Sequence, residues 1–264
     1  VTHDLPNSIR QINSLPLLEK QGIYKQLIPD WVFVDYRIDP ETLLQDGQKV
    51  VRMRCPQGSR SLEISVRHDP HDLDPVMYLH MIDTFNFQLM VLLVIINDPE
   101  SPRYNIDRDL EGHDTHFGTH DRNIPEELKA MQAGLAPGQV RQGLRSFRST
   151  VPLFESFVER MGHELFMIEP LAYHNAVIFE KYGFSYTHGR QEMEWIHHEF
   201  QPGGILDTRL SEDNPFRQSD AGQTIRGRAW AIHDGILGHP FTGFRMYKQV
   251  GKHANVATYP NAKW

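Results

Sequence analysis

The sequence predicts an α/β fold of the α+β kind: a mixed central sheet flanked by helices, with N-terminal and C-terminal extensions. Three observations predict it. Segments 76–82 and 88–97 are rich in Val, Ile, Leu and Tyr, and the apolar run Leu89 to Ile96 suits a central strand buried on both faces. Two helical patterns, 150–161 and 170–181, flank a short apolar strand at 165–168. The chain has 264 residues, 39% of them hydrophobic and 23% charged, a balance that excludes wholesale disorder and supports a core without covalent staples.

The elements follow in order. Residues 1–45 read as mixed helix and loop, with scattered leucines from Ser14 to Leu27 and a turn at Pro29-Asp30. Residues 31–38, Trp-Val-Phe-Val-Asp-Tyr-Arg-Ile, read as a strand from their β-branched and aromatic content. Segments 48–54 and 60–68 alternate apolar and polar around Pro56 and Gly58, which predicts a hairpin. After the two strands at 76–82 and 88–97, residues 103–109 alternate again, with Tyr104 and Ile106 on one face. Residues 111–123 are polar, contain Gly112 and Gly118, and read as a histidine-rich loop.

Residues 125–134 read as a short helix, with Pro near its start, acids after it and Gly134 at its end. Residues 135–143 form a second loop. In 150–161, Phe154, Phe157, Val158 and Met161 share one helical face, Pro152 suits the first turn, and Gly162 stops the helix. Pro170 opens the next helix, which runs to Lys181 and ends at Gly183. Segments 184–188 and 193–198 read as paired strands. From Gln201 the pattern gives way to Gly- and Pro-rich loops. One apolar piece remains, 229–237, interrupted by His233-Asp234-Gly235. No repeat or linker divides the chain, so a single domain, 1–264, is expected. It comprises a helix and hairpin extension (1–75), a core (76–198) holding the loop 111–123, and a loop-rich extension (199–264).

A formal net charge of -7 opposes a dedicated nucleic-acid binder, which needs a basic face. It leaves room for a local basic pocket. The lone cysteine, Cys55, excludes an intramolecular disulfide, and a reducing cytoplasm is the expected location. The apolar run at 89–96 is too short to span a bilayer, and the N-terminal residues lack a basic-then-apolar leader, so no membrane association is expected. The expected partner is a small-molecule substrate, and residues 199–264 are open to covering a site or forming a homodimer contact.

From 76 to 198 the order is strands, loop, helix, strand, helix, strand, strand, and its last third reads Glu169-Pro-Leu-Ala-Tyr-His-Asn-Ala-Val-Ile-Phe-Glu-Lys-Tyr-Gly-Phe184. This resembles the distal half of the GCN5-related N-acetyltransferases, whose helix ends in an aromatic-Glu-Lys-x-Gly-Phe pattern. The resemblance implies acyl-CoA as cofactor and N-acyl transfer to a small molecule. It also implies that Gly138-Gln-Val-Arg-Gln-Gly143 opens the helix that holds the CoA pyrophosphate, with Gln139, Arg141, Gly143 and Arg145 as binding residues. Helix-terminal N–H groups bind phosphate, glycine allows close approach, and arginine adds charged donors. Val140 stands where the family turn carries Gln or Arg, and Phe179 stands where it often carries an acid tyrosine. The acid/base candidates are His120 of the histidine loop and Glu169, which ends a short apolar strand and otherwise reads as a helix-start acid meeting the dipole.

A second chemistry is written in His113-Asp-Thr-His116-Phe-Gly-Thr-His120-Asp121. Neutral imidazoles ligate transition metals, and a catalytic site needs about three protein ligands and an open position. His113, His116 and His120 are candidate ligands for a divalent transition metal. Asp114 or Asp121 would ligate or orient an imidazole. A metal-dependent enzyme is thus one alternative, and a ligand-binding domain without turnover is another. His197-His198-Glu199 reads as a strand end whose imidazoles point to opposite faces. His233-Asp234-Gly235 is either an Asp-oriented histidine or a turn. Trp230 and Phe241 either wall an apolar pocket or fill core.

Overall fold

A computed structural model describes residues 4–115, 121–144 and 146–264. Among them are eight α-helices, a seven-stranded mixed sheet that is mostly antiparallel, and a small two-stranded hairpin. The fold is mixed α/β, as the sequence predicts. In chain order come α1 (Ile9–Asn13), α2 (Leu17–Lys25), α3 (Asp30–Asp35), the hairpin β1 (Leu44–Gln45) and β2 (Gln48–Lys49), then β3 (Val51–Arg54), β4 (Ser61–Val66), β5 (Met77–Asp83) and β6 (Leu89–Ile96). There follow α4 (Ile124–Gln132), α5 (Phe147–Arg160), β7 (Leu165–Ile168), α6 (Tyr173–Lys181), β8 (Ser185–His188), α7 (Arg190–Glu199), α8 (Ile225–His233) and β9 (Arg245–Gln249). The strand order is β3-β4-β5-β6-β7-β9-β8. No helix among the described residues is long and apolar enough to cross a membrane.

The chain forms two compact units, each built from discontinuous segments. The first comprises Val1–Glu100, Gly143–Ile168 and Tyr247–His253, and the second comprises Ser101–Gln142, Glu169–Met246 and Ala254–Trp264.

In the first unit β3 to β6 form an antiparallel run, and β6 and β7 are parallel. Alternation puts Leu62, Ile64 and Val66 of β4 and Met77, Leu79 and Met81 of β5 inside. β6 departs from the expected strand buried along its length. Leu89, Met90 and Val91 are buried, whereas Leu92 to Ile96 are half-buried. α5 packs Val151, Phe154, Phe157 and Val158 into this core. It begins a turn earlier than Pro152 suggests. The reason is Ser146, whose carbonyl accepts from both the Thr150 amide (3.1 Å) and the Thr150 hydroxyl (2.9 Å), closing a turn ahead of the proline. At the other end of the sheet, Asp83 accepts from the amides of Ile9 (2.9 Å) and Arg10 (2.8 Å), satisfying the first free N–H groups of α1.

Three local expectations are corrected. Residues 31–38 do not form a strand: Pro29 and Asp30 start the short helix α3, with an acid in its first turn. Only Val32 of that helix is buried, while Val34 is exposed, so the β-branched content reflects one packed contact. Residues 193–198 belong to helix α7, because Met193 and Ile196 bury a face with three-residue spacing, continued by Phe200. The sheet neighbour of β8 is therefore β9. Residues 103–109 form no strand. Ile106 instead enters the core of the second unit with Ala130, Leu135, Phe216 and Trp230, and Tyr104 packs against that cluster.

That core is organised by α8, which the apolar piece at 229–237 shows only in part. The helix begins at Ile225 under a Thr224 cap, whose hydroxyl accepts from the Gly227 amide at 2.9 Å. Trp230 fills core, and its indole N–H donates to the Leu135 carbonyl at 2.9 Å.

Candidate functional site

The first unit contains a break in its sheet. β6 and β7 pair only at Met90↔Met167 and Val91↔Ile168, after which β6 runs on to Ile96. Among the described residues, the β6–β7 ladder does not continue beyond Val91. The register between β5 and β6 also shifts there: His80 pairs with Leu93 and Met81 with Val91, which leaves Leu92 as an extra residue. Such bulges re-aim side chains and end pairing.

α5 leads the chain into β7, and a crossover helix between parallel strands runs antiparallel to them. Its N-terminus therefore belongs at the C-terminal end of β6. Gly143 agrees with this, because a Cβ there would lie 3.2 Å from the Ile96 carbonyl oxygen. Ser146 makes no side-chain cap bond at the start of α5, and no acid stands in the first turn. The first unit thus brings together a half-exposed apolar strand edge and a helix start suited to an anion.

The sequence candidates are distributed as follows. Gly143 lies at this break. Gln139 closes its own loop, its side-chain oxygen accepting from the Ala136 amide at 2.7 Å. Arg141 donates to the Ser101 carbonyl. Arg145, His116 and His120 lie outside the described residues. Glu169 directly follows β7 and pairs with Arg245 at 3.2 Å.

His113 is exposed, and its Nδ1 lies 3.1 Å from Asp109 and 3.6 Å from Glu111. One ligand atom from each of these three residues falls within 4.8 Å of the others, but the group is mostly exposed and contains two acids that composition alone does not single out. The Asp109 carboxyl is raised by desolvation, yet hydrogen bonds from His113 and Glu111 outweigh this and hold it below its usual range.

The second unit holds a buried ionic network that the sequence shows only at His233-Asp234. Glu127, 2% exposed, accepts from Arg122 Nε at 3.0 Å and lies 3.1 Å from His233 Nε2. Asp234 accepts from Arg122 (2.7 Å), Arg217 (2.7 Å) and Asn214 (2.9 Å). His233 is therefore oriented by Glu127, and Asp234 serves the arginines. Burial raises both carboxyls, but the bonds from His233 and Arg122 hold Glu127 low, and those from Arg122, Asn214 and Arg217 hold Asp234 low. Two carboxylates face two guanidiniums, so the network is balanced and structural in character.

Beside it, His174 of α6 is buried and its Nδ1 has no hydrogen-bond partner among the described residues. Burial, and then the nearby His233, push its pKa down to about 3. His197 and His198 lie on helix α7, where His197 meets Arg228 and His198 meets Glu199. Phe241 stacks on Phe244 with 3.9 Å between ring centroids.

No family model, curated protein or solved structure matches the chain.

Proposed function

We propose that the chain is an acyl-CoA-dependent N-acyltransferase acting on a small molecule, with the acyl carrier held at the break between β6 and β7. The observation that carries this reading is the parallel pair that stops after Val91 and Ile168, with Gly143 against the end of β6. An extended carrier arm bearing amides can continue the ladder along β6, as a peptide adds to a free sheet edge. Its apolar portions would cover Leu92 to Ile96, and its diphosphate would meet the first turn of α5.

In the reaction the acceptor nitrogen forms a bond to the thioester carbonyl carbon, the C–S bond breaks, and the nitrogen loses a proton. The thiolate leaves and is protonated. Glu169, which the sequence places at the end of a short apolar strand, is the base candidate.

Isothermal titration of CoA into the full chain tests the reading. Saturable one-to-one binding is expected, lost in Gly143→Val, whose side chain would crowd the Ile96 carbonyl. No binding at millimolar CoA would overturn it. The Asp109, Glu111 and His113 group gives weaker support to the metal-dependent alternative. That alternative expects bound transition metal in the purified chain, reduced in His113→Ala. Tight CoA binding without acyl transfer to any amine would favour a binding domain.

A further inference from the structure

Arg228 of α8 is a buried charge without a counter-charge. It is 2% exposed, and among the described residues no carboxylate pairs with it. Its Nε donates to the Gly222 carbonyl at 2.7 Å. Its Nη1 lies 3.0 Å from His197 Nδ1 and 3.4 Å from the Tyr173 hydroxyl. The guanidinium lies over two rings, with 5.0 Å to the Phe200 centroid and 3.7 Å to that of Tyr259. Neutral acceptors and ring faces offset part of the desolvation cost, but a buried charge is stable mainly when paired. Arg122 and Arg217 show the contrast, since both reach Asp234.

The neighbours are arranged as donors. A guanidinium only donates, so His197 Nδ1 is the acceptor, and the neutral ring carries its hydrogen on Nε2. Tyr173 accepts from Arg228 and keeps its own hydroxyl hydrogen to donate. Aromatic surface continues from Tyr173 to Phe241, whose centroids are 6.3 Å apart. His197 and Tyr259, which border the guanidinium, are half-buried.

We propose that Arg228, with His197 and Tyr173, forms a binding subsite for a small-molecule monocarboxylate that carries an apolar or aromatic group. One carboxylate matches the single charge of this guanidinium, whereas a phosphate dianion would exceed it. The aromatic walls favour an apolar body. This inference stands independently of the acyl-carrier reading.

The test is a titration of the full chain, at constant ionic strength, with benzoate, phenylacetate and hexanoate, each against its uncharged amide and against inorganic phosphate. At least one carboxylate is expected to bind saturably and raise the melting temperature, with its amide and phosphate at least tenfold weaker. Arg228→Met is expected to abolish the difference between acid and amide. His197→Ala, at a half-buried position that does not test folding, is expected to weaken the acid severalfold and leave the amide unchanged. Equal responses to acid and amide, no response to any acid, or an unaltered acid response in His197→Ala would overturn the proposal. If Arg228→Met fails to fold, the His197→Ala titration decides.

Discussion

His174 shows how burial changes what a residue does. Its imidazole is held neutral, with a pKa near about 3 against an ordinary 6.5, first by desolvation and then by His233. The unfolded chain takes a proton below pH 6.5 while the folded chain refuses it, so stability falls as pH drops from 6.5 toward 3. By pH 5 the loss is about 2 kcal/mol from this group. Urea unfolding of the wild type and His174→Leu at pH 7 and pH 5 checks this: the wild type should lose about 2 kcal/mol more than the variant. Glu127 makes a second case. Replacing it with Ala leaves Arg122 and His233 facing an empty, water-poor site, and a cost of about 3 kcal/mol is expected at pH 7. A loss below about 1 kcal/mol would mean that the pair is solvated and contributes little. Sequence reading finds His233 and Asp234 because they are adjacent. It cannot find Glu127, which lies 106 positions from His233 along the chain.

At the scale of the element, close backbone approach matters more than propensity. Gly227, in the first turn of α8, would place a Cβ 2.5 Å from the Ala221 carbonyl oxygen. That neighbour is backbone and cannot rotate away. Gly227→Ala is expected to destabilise by about 2 kcal/mol despite the better helix propensity of alanine, as overpacking does. An increase in melting temperature would refute this account. Asp83 gives the parallel case for α1. Its carboxylate caps a five-residue helix from the end of a strand, and Asp83→Ala is expected to cost about 1 to 2 kcal/mol with amide exchange rising first at Ile9 and Arg10. α3 and α7 show why element type misled the sequence reading. Each buries few positions, only Val32 in α3 and Met193 and Ile196 in α7, and so few fixed points fit a period of two and a helical period almost equally well.

For the whole molecule, net charge sets behaviour in solution. With a net charge of -7 and 15 histidines, acidification toward the pI of about 6.1 removes the self-repulsion. Light scattering at low salt should show more association at pH 6 than at pH 8. Equal scattering would count against that electrostatic account. The sequence by itself determined the mixed α/β class, the hairpin of β3 and β4, the existence of strands β5 and β6, and the helix-strand-helix run from α5 to α6, because each rests on local periodicity and on turn residues at their ends. Only the tertiary structure decided where β6 loses its partner, which carboxylate orients His233, and that Arg228 is buried without a counter-charge. Ile225-Arg-Gly-Arg-Ala-Trp reads as a charged helix start, and nothing local distinguishes Arg226 from Arg228. Burial, pairing and desolvation are properties of distant segments brought together, and only the folded chain brings Gly222, Tyr173, His197, Phe200 and Tyr259 around one guanidinium.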